Sequence, residues 1–190
     1  MIRAVLKKSG VKPGGTILDA GCGQGQFSRL LASPGYSVVG VDLSEVGIAE
    51  ARRHAGPREQ FIVGDISEMT ADFDAVFCRS FSPYNTADFS MQNEWTVRLL
   101  GLVRPGGVLI WCYNSCLAPS ISSSWRQHTL DEARQHFRAF EAEVFFTMRL
   151  ECRLGSWVLN RLDTRCAEWF SHLTGRGGEL IAIVRKSQAG

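Results

Sequence analysis

The run Ile17-Leu18-Asp19-Ala20-Gly21-Cys22-Gly23-Gln24-Gly25-Gln26-Phe27 holds the residue types that a nucleoside-binding turn requires. A short apolar segment ends in an acid, and three glycines at alternate positions lead into a helical pattern, so a buried strand turns sharply into a helix. Without Cβ atoms, the glycines accept positive φ and let a ligand approach the backbone. Amide donors at the start of the next helix are left facing that ligand. A second acid, Asp42, closes the apolar stretch Tyr36-Ser37-Val38-Val39-Gly40-Val41 and lies 21 residues after Gly21. At that separation a carboxylate at the tip of a second parallel strand reaches the ribose hydroxyls of a bound nucleoside. Asp42 has a plainer alternative as a cap for the helix starting near Ser44. The glycine spacing is not that of a dinucleotide fingerprint, which places two spacers before its third glycine.

The elements that must position these groups follow from the pattern along the chain. Strands are expected near 16–20, 37–41, 60–63, 73–78 and 106–113, and helices near 25–33, 44–54 and 90–101. Strand-helix alternation at this spacing specifies a parallel sheet with helices on both faces. Thr129-Leu130-Asp131-Glu132 forms a capping box that opens a helix to about Ala139. Glu143–Leu150 reads as a sixth sheet strand and Glu179–Val184 as a seventh, and Met1–Gly10 as a short entering helix. The fold class is therefore α/β, Rossmann-like and doubly wound.

The acid-glycine spacing, Asp42, the Gly64-Asp65-Ile66 turn, the strand Asp72–Cys78 and the segment Leu102–Ile110 together resemble the class I S-adenosylmethionine-dependent methyltransferases, in the family's order from about residue 12 to residue 113. The resemblance implies a mostly parallel seven-stranded sheet whose last strand runs antiparallel between the fifth and sixth. It implies S-adenosyl-L-methionine as cofactor and S-adenosyl-L-homocysteine as product. It also implies a cofactor site built from Asp19, Gly21, Cys22, Gly23, Gly25, Gln26, Phe27, Asp42, Leu43, Asp65, Ile66 and Arg79. In the family the acid at Asp65 accepts from the adenine amino group and its apolar neighbour packs on the ring; read alone, Asp65 is also a good turn residue.

Methyl transfer from a sulfonium needs alignment of a nucleophile more than a strong acid or base, and no base announces itself in the sequence. The segment after the fourth strand, Arg79-Ser80-Phe81-Ser82-Pro83-Tyr84-Asn85, faces the methyl group in the family. Tyr84 and His128 are the catalytic candidates, Tyr84 as a partner for a substrate hydroxyl and His128 as a base titrating near neutrality. His128 also reads as an exposed residue preceding the capping box, and Pro83-Tyr84-Asn85 as a simple turn. His54, His136 and His172 fall in helical patterns away from the expected active face. Ser82-Pro83-Tyr84 resembles, one Pro short, the Pro-Pro-aromatic motif of amino methyltransferases. Three readings follow: methylation of a small molecule at oxygen, N-methylation of nucleic acid or protein, or a cofactor-binding subunit without its own activity.

Composition narrows the partners. Twenty-one basic against 19 acidic residues, a formal charge of +2, argues against a partner made of long nucleic acid. No apolar run approaches the ~18 residues of a membrane span, and the N-terminal segment lacks the apolar stretch and cleavage site of a secretory signal. Six cysteines without paired metal-ligand spacing, one in the glycine loop and two in expected strands, indicate reduced thiols, a cytoplasmic location and no structural metal. The expectation is a single domain over 1–190, monomeric or homodimeric, with a polar substrate loop at 114–128 and an insertion at 151–178. Within that insertion Trp157, Leu162, Cys166, Trp169 and Leu173 recur at helical spacing, as a packed stripe, a substrate lid or a dimer surface.

Overall fold

The computed structural model describes residues 2–115, 120–122, 125–147, 169, 173 and 178–188. Helix α1 (Ile2–Ser9) precedes an alternating series: β1 (Thr16–Ala20), α2 (Gln26–Ala32), β2 (Ser37–Asp42), α3 (Glu45–Arg53), β3 (Glu59–Val63), β4 (Phe73–Arg79), α4 (Phe89–Gly101) and β5 (Val103–Ser115). A small hairpin, β6 (Ser120–Ser122) with β7 (Trp125–Gln127), leads to α5 (Leu130–Phe137), β8 (Glu143–Thr147) and β9 (Gly178–Arg185). The main sheet has seven strands in the order β3-β2-β1-β4-β5-β9-β8, with β9 antiparallel to both neighbours. The fold and the antiparallel insertion agree with the sequence expectation.

Burial on two faces explains the strand composition. Val108 to Tyr113 is buried at every position, as a central strand covered on both sides should be. Alternate residues then enter two cores. Leu109, Trp111 and Tyr113 pack with Leu99 of α4 and Phe137 of α5, whereas Val108, Ile110 and Cys112 pack with Leu6 of α1 and Leu31 of α2. β5 begins earlier than expected because Gly106, at φ 77°, lets the Pro105-Gly106-Gly107 turn stay within the paired strand. A register shift between Phe73 and Ala75 absorbs the irregularity.

The expected loop at 114–128 is partly strand. Ser115 bridges His128, and β7 pairs antiparallel with β6. Residues 116–119 and 123–124 of that loop lie outside the described residues, as do nearly all of the 151–178 insertion and the end of the expected sixth strand beyond Thr147. Of the insertion's apolar stripe only Trp169 and Leu173 are described, both helical and exposed. No described helix is long and apolar enough to cross a membrane.

Two histidines are built into the α4–α5 core. His136 is buried beside Phe137 and Tyr84, with Nε2 3.0 Å from Thr96 Oγ1. Burial lowers its pKa from 6.5 to about 4, and the neighbouring His128 pushes in the same direction. The folded pKa is below the unfolded one, so the unfolded chain takes up the proton first. Stability is complete above pH 6.5 and is lost as pH falls from there toward 4. Chemical denaturation at pH 7 and pH 4.5 should show wild type losing more stability than His136→Phe, by up to the order of 3 kcal/mol.

Candidate functional site

In this strand order the direction of winding across the sheet reverses between the parallel neighbours β1 and β4, so the loops leaving their carboxyl ends diverge and open a crevice, the usual ligand position in open parallel sheets. The loop after β1 is the glycine turn. Gly21, Gly23 and Gly25 all have positive φ, at 72°, 51° and 70°. A Cβ on Gly21 would meet the Phe81 ring at 2.7 Å, and one on Gly25 would meet Phe61 at 2.7 Å. A Cβ on Gly23 would meet nothing within 4 Å. Two of the glycines thus admit neighbouring rings, and the third keeps the open side of the loop free for a ligand.

The tip of β2 holds this loop in place. Gly21 N and Cys22 N both donate to Val41 O, at 2.9 and 3.2 Å. The Asp42 carboxylate accepts from Gly23 N through one oxygen and from Ser44 N through the other, both at 2.8 Å. Ser44, not Asp42, is the N-cap of α3, its hydroxyl accepting from Gly47 N at 3.0 Å. Asp42 therefore orients the glycine turn and retains carboxylate lone pairs for ribose hydroxyls.

Asp19 lies beneath the loop, buried, and accepts a 2.6 Å bond from the Ser28 hydroxyl. Burial pushes its pKa up to about 7 against the pull of that bond, and the negative charge of Asp42 adds to the rise. Burial and the same two acids raise the Cys22 thiol, which is no thiolate nucleophile. Two carboxylates converging under one loop favour a ligand that brings positive charge and oppose a pyrophosphate.

Around the turn, Gln26 is exposed at the start of α2 and Leu43 is 72% exposed beside Asp42. Ile66 is buried below the following rim. Asp65 caps the short 3-10 turn Ile66–Glu68 by accepting from Ser67 N at 2.7 Å, and that bond lowers its pKa. Both readings of Asp65, turn residue and rim acid, are compatible with this geometry.

Arg79 ends β4 on the α2 side of the sheet. Its Nε donates to Glu179 of β9 at 2.7 Å, Nη2 to Asn114 of β5 at 3.3 Å, and its guanidinium lies 4.6 Å from the Phe27 ring centroid. Glu179 is buried, so removing either partner would strand a charge at a cost of about 3–5 kcal/mol. This ion pair, which no local motif announces, ties three strands and α2 together beside the crevice.

The two catalytic candidates are brought together, but in unequal roles. Tyr84 is fully buried within a 3-10 turn, and its hydroxyl bonds Thr96 at 2.9 Å in the α4 core. The expectation that this phenol meets a substrate hydroxyl is corrected accordingly, because a ring packed against Trp111 and His136 cannot turn outward without opening the core. His128 is buried rather than exposed. Its Nε2 lies 2.9 Å from the carbonyl oxygen of Tyr84, which can only accept, so the proton is on Nε2 and the lone pair on Nδ1. His128 also meets Tyr113 edge to face, with ring centroids 4.7 Å apart. Burial lowers its pKa below 6.5, and the positive charge of Arg126 acts in the same direction.

Arg126 is the residue that sequence reasoning missed. Its backbone amide donates to the Asn85 side chain and its guanidinium pairs with Glu132, whose other oxygen closes the capping box on Thr129 N at 2.9 Å. The capping-box signal pointed to Glu132 without revealing this second duty. No described His, Cys, Asp or Glu cluster could hold a metal ion.

A family model described as a methyltransferase domain matches residues 17–107. The malonyl-[acyl-carrier protein] O-methyltransferase of Enterobacter lignolyticus is 30% identical over 166 residues, 85% of this chain and 63% of that protein. The magnesium-protoporphyrin O-methyltransferase of a Synechocystis species is 36% identical over 81 residues, 40% of this chain and 35% of that protein. The chain thus spans less than two thirds of the length of these curated relatives. A solved S-adenosylmethionine-dependent methyltransferase from Methanosarcina mazei superposes with a TM-score of 0.66 at 18% identity, covering 97% of this chain and 98% of the other.

The glycine geometry predicts an ordered pair of effects. Gly23→Ala should cost only the strain of a left-handed alanine, about 1–2 kcal/mol. Gly25→Ala should cost about 1–3 kcal/mol more, because its methyl also displaces Phe61. Urea unfolding of both variants checks the order.

Proposed function

The chain belongs to the class I S-adenosylmethionine-dependent methyltransferases, and we propose that it transfers the cofactor's methyl group to a small-molecule acceptor, at oxygen. The observation that carries this reading is the pairing of two halves at one sheet edge. A glycine turn gripped by Asp42 over the buried Asp19 lies on one side, and a neutral, tautomer-fixed His128 on the other. Both curated relatives described above are named O-methyltransferases.

The cradle fits S-adenosylmethionine by charge and by space. The open side of Gly23 admits a ligand to the backbone, Asp42 offers lone pairs to the ribose, and the two acids complement a cationic ligand. Leu43 and Ile66 flank the position of the base, with Asp65 at its rim. Phe27 and Arg79 border the crevice on the α2 side. When bound, the cofactor supplies a methyl group on a sulfonium, with a neutral thioether as leaving group.

The protein's own contribution is alignment and proton removal. His128 Nδ1 takes the proton of an acceptor hydroxyl, and the Nε2–H bond to the Tyr84 carbonyl keeps the ring in the tautomer that can do so. Tyr84 acts through its backbone rather than its phenol. The N-methylation reading has less support, because Ser82-Pro83-Tyr84 forms a 3-10 turn that sends the aromatic side chain into the core.

Two measurements test the reading. Calorimetric titration should show saturable binding of S-adenosylmethionine and S-adenosylhomocysteine, with NAD and ATP at least about tenfold weaker. Asp42→Ala should weaken cofactor binding by about 1.5–3 kcal/mol, the scale of a hydrogen bond to a charged group, and should lower the melting temperature as well, since it frees Gly23 and Ser44. Preference for a dinucleotide overturns the cofactor assignment. In methyl transfer at saturating cofactor, kcat should fall as pH drops below 6.5, because a lowered His128 pKa keeps the base available above that value. His128→Gln should lower kcat by about 10²-fold or more and abolish that acid limb. An unchanged pH profile in the variant removes His128 from the chemistry.

A further inference from the structure

Among the described residues, Ser80 and Glu141 have positive φ without being glycine, each at 50°. Glu141 is the C-cap of the 3-10 turn Arg138–Phe140, where a left-handed residue is ordinary. Ser80 caps no helix. It lies between the end of β4 and the 3-10 turn Ser82–Tyr84, at the crevice, with its amide donating to Cys112 O of β5 at 3.1 Å. A strained residue persists only where its surroundings demand that conformation.

The residues after Ser80 supply that demand. The Phe81 ring lies directly against Gly21 of the glycine loop, where a Cβ would come within 2.7 Å of it, and meets Trp95 of α4 edge to face with centroids 5.3 Å apart. The Phe81 carbonyl accepts from Tyr84 N at 3.0 Å, and Pro83 stiffens the turn between them. The far end is fixed as well. Tyr84 bonds Thr96, the chain neighbour of Trp95, through its hydroxyl at 2.9 Å, and its carbonyl accepts from His128 Nε2 at 2.9 Å. One short turn therefore touches the cofactor loop at its first residue and the base at its last, and both ends rest on adjacent residues of one helix.

Resting on the methyltransferase reading above and on the role it gives His128, we infer that Phe81 is a positioning residue. Its ring seats on Gly21, and the Phe81–Tyr84 turn carries the place of the glycine loop to the Tyr84 carbonyl, so that His128 is aimed from the cofactor side of the crevice. Gly21 and Phe81 are a matched pair: the missing side chain of one sets how near the ring of the other, and with it the base, can come. A misplacement of about 1 Å between reacting groups can cost on the order of 10²-fold in rate, which gives the chain a reason to keep a left-handed serine. Phe81 moves no proton and acts only through the turn.

The test reads His128 itself, by nitrogen-15 resonance of the histidine rings in the full chain at pH 8, where burial keeps this ring neutral. His128→Gln identifies its signals among those of the four histidines. Wild type should show the Nε2–H tautomer alone. Gly21→Ala should mix the tautomers, because its methyl drives the Phe81 ring away. Gly23→Ala is the control: it carries the same left-handed strain but meets nothing within 4 Å, and should leave the His128 signals as in wild type. Phe81→Ala should mix the tautomers too, with calorimetric affinity for S-adenosylhomocysteine within about threefold of wild type. Gly21→Ala and Phe81→Ala break the same contact from opposite sides, so either decides the matter if the other does not fold. Wild-type His128 signals in Gly21→Ala, or an equal change in both glycine variants, overturns the inference and leaves the methyltransferase reading standing. A Phe81→Ala protein that loses S-adenosylhomocysteine affinity more than about tenfold while His128 stays as in wild type marks the ring as a cofactor wall and overturns it as well. Failure of the wild type to bind S-adenosylhomocysteine overturns both readings.

Discussion

The grip of β2's tip on the glycine loop is the constraint from which the rest of the site follows. Three left-handed glycines make a turn with almost no side chain of its own, and such a turn is held only by what its backbone bonds to. Here the amides of Gly21, Cys22 and Gly23 all donate to Val41 or Asp42. The second strand must therefore end where it does, one residue beyond its last apolar position, for the first loop to exist. Because Asp42 also accepts from Ser44, the start of α3 is fixed by the same carboxylate. One side chain thereby couples two strands, one loop and one helix.

That arrangement also sets the electrostatics. Burial raises the pKa of Asp19, and the negative charge of Asp42 adds to the rise. Two acids so close under a backbone turn would be a liability in an empty structural element. They become useful when the bound molecule carries positive charge, because the ligand then relieves the repulsion that the fold builds in. The same reasoning distinguishes this turn from glycine loops that cradle phosphates, where amides and a helix N-terminus face an anion without paired carboxylates beneath.

How much of this was legible in the sequence depended on whether the cause was local. The glycine turn, Asp42 and the alternation of strands and helices were readable, since positive φ, strand-tip acids and apolar periodicity leave marks within a few residues. The capping box at Thr129 and Glu132 was readable for the same reason. Tyr84 was misjudged because its orientation is decided by Thr96, His136 and Trp111, residues from three different elements. The 114–128 loop looked merely polar because three-residue strands are too short to show a period, and their pairing is settled by Ser115 and His128 meeting across the chain. Arg79 was assigned to the crevice, yet Glu179 lies 100 residues away in sequence, and nothing in either segment announces the pair.

The proposed acceptor side rests on a different kind of support from the cofactor side. Where the glycine loop is held by backbone bonds to a strand, the wall carrying His128 is held by side chains converging on the first turn of α5. Glu132 caps the helix with one oxygen and anchors Arg126 with the other, Asn85 receives the Arg126 amide, and the Tyr84 carbonyl fixes the His128 ring. Side-chain networks of this kind tolerate change at their outer residues more readily than a left-handed backbone turn does. A fold with one rigid half and one adjustable half can keep its cofactor while its acceptor wall is remodelled. The two kinds of support meet along the line where β1 and β4 part.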